Sequence, residues 1–225
     1  MAQARQHKRG EHTKQRLLDA AEQLFAEKGF HGVTVRAIAG AADSDPALIA
    51  YYFGGKRELF DEVLLRRAEI LNQIRIEELE ACEKNAGPEG PSVEDIIHAF
   101  SHPLLDRTEF GGPGWKSYFA LVAQITNSPE WGGAVMPKYF DPIVRRFLES
   151  LRKALPESAD EDLFWSYHFL SGALVLTFAQ TGRIDHLSGG LCSASDIESV
   201  HKRLPQFIAA GFRRICQKDK GDPTP

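Results

Sequence analysis

The chain has 225 residues, 43% hydrophobic and 26% charged, with a formal net charge of −4. Those are ordinary values for a globular protein of one large domain or two small ones, and the acidic total argues against a wholly basic nucleic-acid coat. No run approaches the ~18 apolar residues of a membrane span, and the polar first residues lack the apolar core of a signal peptide. A soluble, cytoplasmic protein with no membrane partner is therefore expected.

The charge is uneven from the start. Arg5, Lys8, Arg9, Lys14 and Arg16 face only Glu11 in the first sixteen residues. Residues 1–60 carry nine Lys or Arg against seven Asp or Glu, net +2, which leaves −6 for the rest. A basic front end on an acidic body suits a polyanion partner, although a solvated tail has the same charge.

Nearly every structured stretch reads as helix. Leu17, Ala21, Leu24 and Phe25 recur at helical spacing over 11–28, and Gly29 is a stop. Thr34 is placed to cap a short helix, VRAIAGAA. Asp43-Ser44-Asp45 is a turn, with Asp45 a plausible cap and Pro46 the first residue of a brief helix over 46–52. Gly54-Gly55 breaks it, and a long helix is expected from Lys56 to about Glu83.

KNAGPEGP, 84–91, reads as a linker, and Ser92 with Asp95 as a capping box for a helix through Leu105. RTEFGGPG reads as a loop. Further helices fit 115–126, about 138–155, 160–180 and 195–217, the last opened by a Ser195–Glu198 capping box and kinked at Pro205. No alternating strand pattern occurs, so the fold class expected is all-α.

Two short helices joined by a turn of about three residues, with a third before them, suggest a helix-turn-helix. The second short helix would enter the major groove. Ala47 and Ala50 keep its front low, while Ile49 and Phe53 can anchor its back. Tyr51 and Tyr52 then project toward phosphate, where a phenol can donate a hydrogen bond. Lys56, at a helix N-terminus, favours phosphate by charge and by position. On spacing alone, a plain helical corner with incidental tyrosines remains the alternative.

TVRAIAGAADSDPALIAYYFGGKRELFDEVL resembles the DNA-binding domain of the TetR family of bacterial transcriptional regulators. The preceding LLDAAEQLFAEKGFHGVT is similar to that family's first helix and turn, so the resemblance runs over about 55 residues, roughly 12 to 66. It implies a homodimer whose two heads bind a near-palindromic double-stranded DNA operator. It also implies an all-helical ligand and dimer domain, and usually repression relieved by a small molecule. It places Thr34, Arg36, Pro46, Ala47, Leu48, Tyr51, Tyr52 and Lys56 at the DNA. The departures are Asp43 where the family usually has glycine, Asp45 for a serine or threonine cap, and Ala50 for a tyrosine. The two carboxylates should weaken DNA binding, although Asp45 could accept from a cytosine amine or hold Arg36 in place.

The implied division is a head over 1–58 with a basic arm, a ligand and dimer domain over 59–217, and a disordered tail over 218–225. Residues 115–178 are rich in aromatics, mostly core. A cavity there would be apolar, which favours a small hydrophobic or aromatic effector. Trp115, Phe119, Tyr139, Phe140, Phe164 and His168 are the candidate contacts. LRKALPESADEDLFWSYHFLSGALVLTFAQTG resembles the C-terminal domains of a TetR branch that includes fatty-acid-responsive regulators. The last two long helices, 160–180 and 195–217, are where the family places its dimer bundle. Their Ser171-Gly172-Ala173 and Ala209-Ala210-Gly211 would allow close approach, between subunits or within one.

Other chemistry finds little support. His98 and His102 stand four apart, but no nearby Cys or carboxylate completes a metal set. Ser44, Asp43 and His31 have nothing to fix them as a triad. Cys82, Cys192 and Cys216 form no CxxC pair and suit a reducing compartment, with Cys82 a conceivable redox switch. No phosphate loop, metal site or cofactor motif is present, and no enzyme is expected. A helical adaptor that binds protein instead of DNA is the remaining rival, supported only by the charges of Asp43 and Asp45.

Overall fold

The computed structural model describes the backbone over residues 2–216, and side chains there outside 2–7, 130 and 132–136. Among the described residues ten helices run in order: α1 (Ala2–Lys28), α2 (Val35–Ala41), α3 (Ala47–Phe53), α4 (Lys56–Asn85), α5 (Val93–Phe110), α6 (Pro113–Thr126), α7 (Pro129–Ala154), α8 (Asp160–Ala179), α9 (Arg183–Leu187) and α10 (Ile197–Cys216). No strand occurs among the described residues, and none of their helices is long and apolar enough to cross a membrane.

Several boundaries differ from the sequence reading, for local reasons. The helical backbone begins at Ala2, so the basic arm continues α1. RTEFGGPG is not a loop: α5 runs to Phe110 through Pro103, α6 starts at Pro113, and only Gly111 and Gly112 separate them. Pro113 suits a first turn, whose N–H groups have no partner anyway. Helix α7 starts at Pro129 and continues through Pro137 and Pro142. The Ser92–Asp95 capping box forms. The Ser195–Glu198 box does not. Asp196 Oδ1 accepts the Ser199 N–H at 3.0 Å, while Glu198 pairs with Lys202 at 2.6 Å. Helix α10 runs on through Pro205. The tail expected over 218–225 lies outside the described residues.

Helix α1 packs on α2, α4 and α6, and α3 packs on α4. Phe25, Phe30, Phe60 and Trp131 form an aromatic joint between the head and α7, with Phe30–Trp131 and Phe60–Trp131 centroids 4.9 and 4.7 Å apart. Helix α5 packs against α4, α7 and α10, and α8 packs against α6, α7 and α10. Ion pairs tie the layers together. Glu83 of α4 takes Arg146 of α7 at 2.7 Å and Ser150 Oγ at 2.8 Å, which holds its carboxyl down to about 2. Arg213 of α10 grips Glu94 of α5.

Candidate DNA interface

The head builds its exposed face from local caps. Thr34 Oγ1 accepts the Ala37 N–H at 3.1 Å and starts α2. Asp43 then turns the chain with φ +46, and its carbonyl accepts Arg16 Nη2 from α1 at 3.4 Å. Asp45 Oδ1 accepts the Ala47 N–H at 2.8 Å, with Pro46 already helical at φ −53. Asp45 therefore caps α3, and the described ion pairs do not join it to Arg36. Gly54, at φ +94, ends α3 in a conformation that a side chain would strain.

The expected two-sidedness of α3 is present. Ile49 and Phe53 are buried with Ile38, Ala39 and Ala42 of the neighbouring helix and turn. Thr34, Arg36, Pro46, Ala47 and Ala50 are exposed, and Tyr51 is 78% exposed. The two tyrosines diverge. Tyr52 and Leu48 are half-buried against the core. A Cβ at Gly10 would stand 3.4 Å from the Tyr52 hydroxyl, so this ring leans along α1. Lys56 opens α4 with its ammonium 4.2 Å above the Phe30 ring, and partial burial pulls its pKa down.

Behind this face lies a junction that the sequence reading missed. Glu22 of α1 is only 2% exposed. Its carboxylate accepts Arg67 Nε at 2.6 Å, Arg67 Nη2 at 2.8 Å and Arg66 Nη2 at 2.9 Å, while Arg66 also reaches Asp19 at 2.8 Å. Helix α6 closes over the knot, where a Cβ at Gly114 would lie 2.1 Å from Arg67 Nη2. At its other end, Gln124 Nε2 donates to the Ala26 carbonyl at 2.6 Å. Adjacent arginines on a helix read as a solvated pair, so only the structure shows what they grip.

The six candidate effector contacts do not share one wall. Trp115, Phe119, Tyr139 and Phe140 are buried, and Phe119 stacks on Phe178 at 4.6 Å. Phe164 and His168 lie instead on the outer face of α8. That helix turns Leu163, Ser166, Leu170, Leu174 and Phe178 inward, at spacings of three and four, which rotates 164 and 168 outward. His98, His102 and His201 cluster with ring centroids 4.8 and 4.9 Å apart, but among the described residues no His, Cys, Asp and Glu group could hold a metal. Burial and neighbouring carboxylates raise the Cys82 thiol, which disfavours its reactive thiolate.

A capped short helix with an exposed small-residue front, anchored behind and flanked by a phosphate-suited lysine, defines a helix-turn-helix DNA-binding regulator. The comparisons agree. Residues 17–63 match the model for bacterial regulatory proteins of the tetR family, and residues 98–211 match the tetracyclin repressor-like C-terminal domain. The chain belongs to the TetR family, whose members bind DNA operators and act as dimers.

Among curated relatives, the probable HTH-type transcriptional regulator YttP of Bacillus subtilis is 44% identical over 52 residues, 23% of this chain and 25% of that protein. IcaR of Staphylococcus aureus, the HTH-type negative transcriptional regulator of the biofilm operon icaADBC, is 24% identical over 117 residues, 52% of this chain and 55% of IcaR. The chain thus spans a quarter and about half the length of these relatives. A tetR family transcription regulator from Shewanella sp. PV-4 aligns with TM-score 0.63 at 19% identity, over 92% of this chain and 99% of that one. The fatty acid degradation regulator FadR from Bacillus halodurans aligns with TM-score 0.58 at 15% identity, over 89% and 96%. Both structural likenesses speak for the fold alone.

Proposed function

We propose that this TetR-family chain is a cytoplasmic, homodimeric, ligand-responsive repressor of a near-palindromic operator. Its working division is a DNA-reading head over 1–58 and a regulatory domain over 59–217. The observation that carries the reading is the exposed, cap-fixed front of α3 beside Thr34, Arg36 and Lys56. Ala47 and Pro46 let the backbone approach base edges, Tyr51 and Lys56 meet phosphate, and Arg36 reads a base. The relative IcaR is named as a negative regulator, which supports repression.

The outer faces of α8 and α10 support dimerisation. Phe164, Trp165, Phe169 and Leu176 of α8 and Phe207 and Ile215 of α10 are all exposed. Scattered apolar residues need no explanation, but Trp165 stacks on Phe169, which lines one groove with Phe207 and Ile215; an apolar patch of this kind marks an interface, and a two-fold axis would let it cover itself. Phe164 and His168 therefore serve the subunit contact in this reading. The effector enters the buried aromatic region around Trp115 and Phe119.

Selection of bound duplexes from a random pool tests the proposal. It should return an inverted repeat with half-sites about one helical turn, or a multiple, apart. Enrichment of no motif, or of a single unrepeated half-site, would contradict a dimeric operator reader.

A further inference from the structure

Arg75, midway along α4, is a buried cation that DNA binding does not use. It is 4% exposed and lies 3.7 Å above the Phe100 ring. Its Nε–H donates to the Phe100 carbonyl at 3.0 Å, one turn before Pro103, and Nη1 reaches Asn72 Oδ1 at 3.4 Å. A guanidinium has five N–H donors, so most of the fork is not used by these bonds. Arg66, Arg67, Arg146, Arg152 and Arg213 all pair with carboxylates, but no ion pair involves Arg75 among the described residues.

The groups that interact most strongly with its charge are phenols, those of Tyr118 and Tyr167. Tyr118 is fully buried, and its hydroxyl has no hydrogen-bond partner among the described residues. The rest of the surroundings are aromatic: Phe147 stacks on Phe100 at 4.0 Å, and the Tyr167 ring lies 6.5 Å from each of them. Burial pulls the Arg75 guanidinium down to about 10 and pushes the Tyr118 phenol up. At neutral pH the first remains a cation and the second a neutral donor.

We propose that the effector carries a single carboxylate on an apolar body, held by the Arg75 fork and the Tyr118 hydroxyl with its body among these rings. The proposal rests on the ligand-responsive reading above. A planar carboxylate matches the guanidinium fork. A dianionic phosphate fits poorly, because a second charge in this interior would need a second cation, and Arg67 is already held by Glu22. Tyr118 also interacts with Arg67 and Glu22 and stands on α6, which meets their knot at Gly114 and bonds the Ala26 carbonyl from Gln124. The carboxylate would thus bind against the helix that holds α1.

The test uses the full-length protein and its intrinsic tryptophan fluorescence, with decanoate against decanol and phenylbutyrate against phenylbutanol. Each acid should bind roughly ten-fold or more tightly than its alcohol. Arg75→Gln should abolish that preference while leaving alcohol binding in place. Tyr118→Phe, which removes one hydroxyl, should weaken acids several-fold and spare alcohols. Failure of both acids to bind, equal acid and alcohol affinities, or an undiminished preference in a folded Arg75→Gln overturns the proposal. If Arg75→Gln does not fold, the wild-type ratio and Tyr118→Phe decide. Operator binding is read separately by fluorescence anisotropy: its absence overturns the regulator reading, while the acid–alcohol ratio still decides the site.

Discussion

At the scale of single residues, the proposed DNA face sets the Lys56 cation against the Asp43 carboxylate. The Lys56 ammonium is held over Phe30 at the start of α4. Lys56→Ala should weaken binding to every sequence alike and flatten the salt dependence by about one unit of slope, because one phosphate contact is lost. Arg36→Ala should instead change which sequences are preferred; a uniform loss would move Arg36 to backbone duty. Asp43 occupies the left-handed region at φ +46, where glycine carries no steric cost. Asp43→Gly should raise stability by about 0.5–1 kcal/mol in denaturant titration and tighten operator binding at low salt, since a carboxylate leaves a surface facing phosphate. Much of this face was legible in the sequence, because caps, a proline and anchors at fixed offsets have local causes. Tyr52 was not, because its lean along α1 at Gly10 depends on a residue 42 positions away.

At the scale of elements, the Glu22 knot joins α1, α4 and α6. Glu22→Gln keeps the shape but removes the charge that two arginines share. Those arginines retain some solvent, so the expected loss is about 2 kcal/mol, below the full cost of breaking a buried pair. An unchanged unfolding midpoint would show that the knot orients helices without stabilising them. The α5–α10 contact supplies a pH test. His98 and His201 are depressed below 6.5, first by burial and then by mutual repulsion with His102, against the pull of Glu78, Asp95 and Asp106. A depressed histidine protonates more readily in the unfolded chain, so stability is full above pH 6.5 and falls as pH drops through the folded values. Melting temperature should decline from pH 7.5 to 5.5, and His98→Asn with His201→Asn should flatten that decline. Glu83 adds its own loss only below about 4.5.

The same scale explains which helices were legible. Helix α2 follows from its Thr34 cap, and α4 from a regular stripe of Leu59, Phe60, Val63, Leu64 and Leu71 that starts after Gly54-Gly55. Helix α5 was stopped at Leu105 because the glycines of RTEFGGPG read as a loop, and α7 was begun near 138, just past Pro137, whereas packing on neighbours carries α5 to Phe110 and starts α7 at Pro129. Helix α9 is five residues long, too short for any period. Helix α8 is apolar on both sides, with Leu163 and Leu170 inside and Trp165 and Phe169 outside. Periodicity therefore could not separate its core face from its outer face, and Phe164 and His168 were assigned inward.

For the whole molecule, the proposed repression requires two heads held at fixed separation, for which the outer faces of α8 and α10 offer exposed apolar side chains. Phe169→Glu places a charge in that patch and should leave a folded monomer at micromolar concentration by sedimentation, with operator affinity lost in parallel. A dimer that persists unchanged would move the interface elsewhere. The most direct test of the central claim is fluorescence anisotropy of the wild-type protein against its selected operator and a scrambled duplex, at two salt concentrations. The account predicts saturable binding that prefers the operator and weakens steeply as salt rises. Equal binding to both duplexes, or binding indifferent to salt, would contradict it.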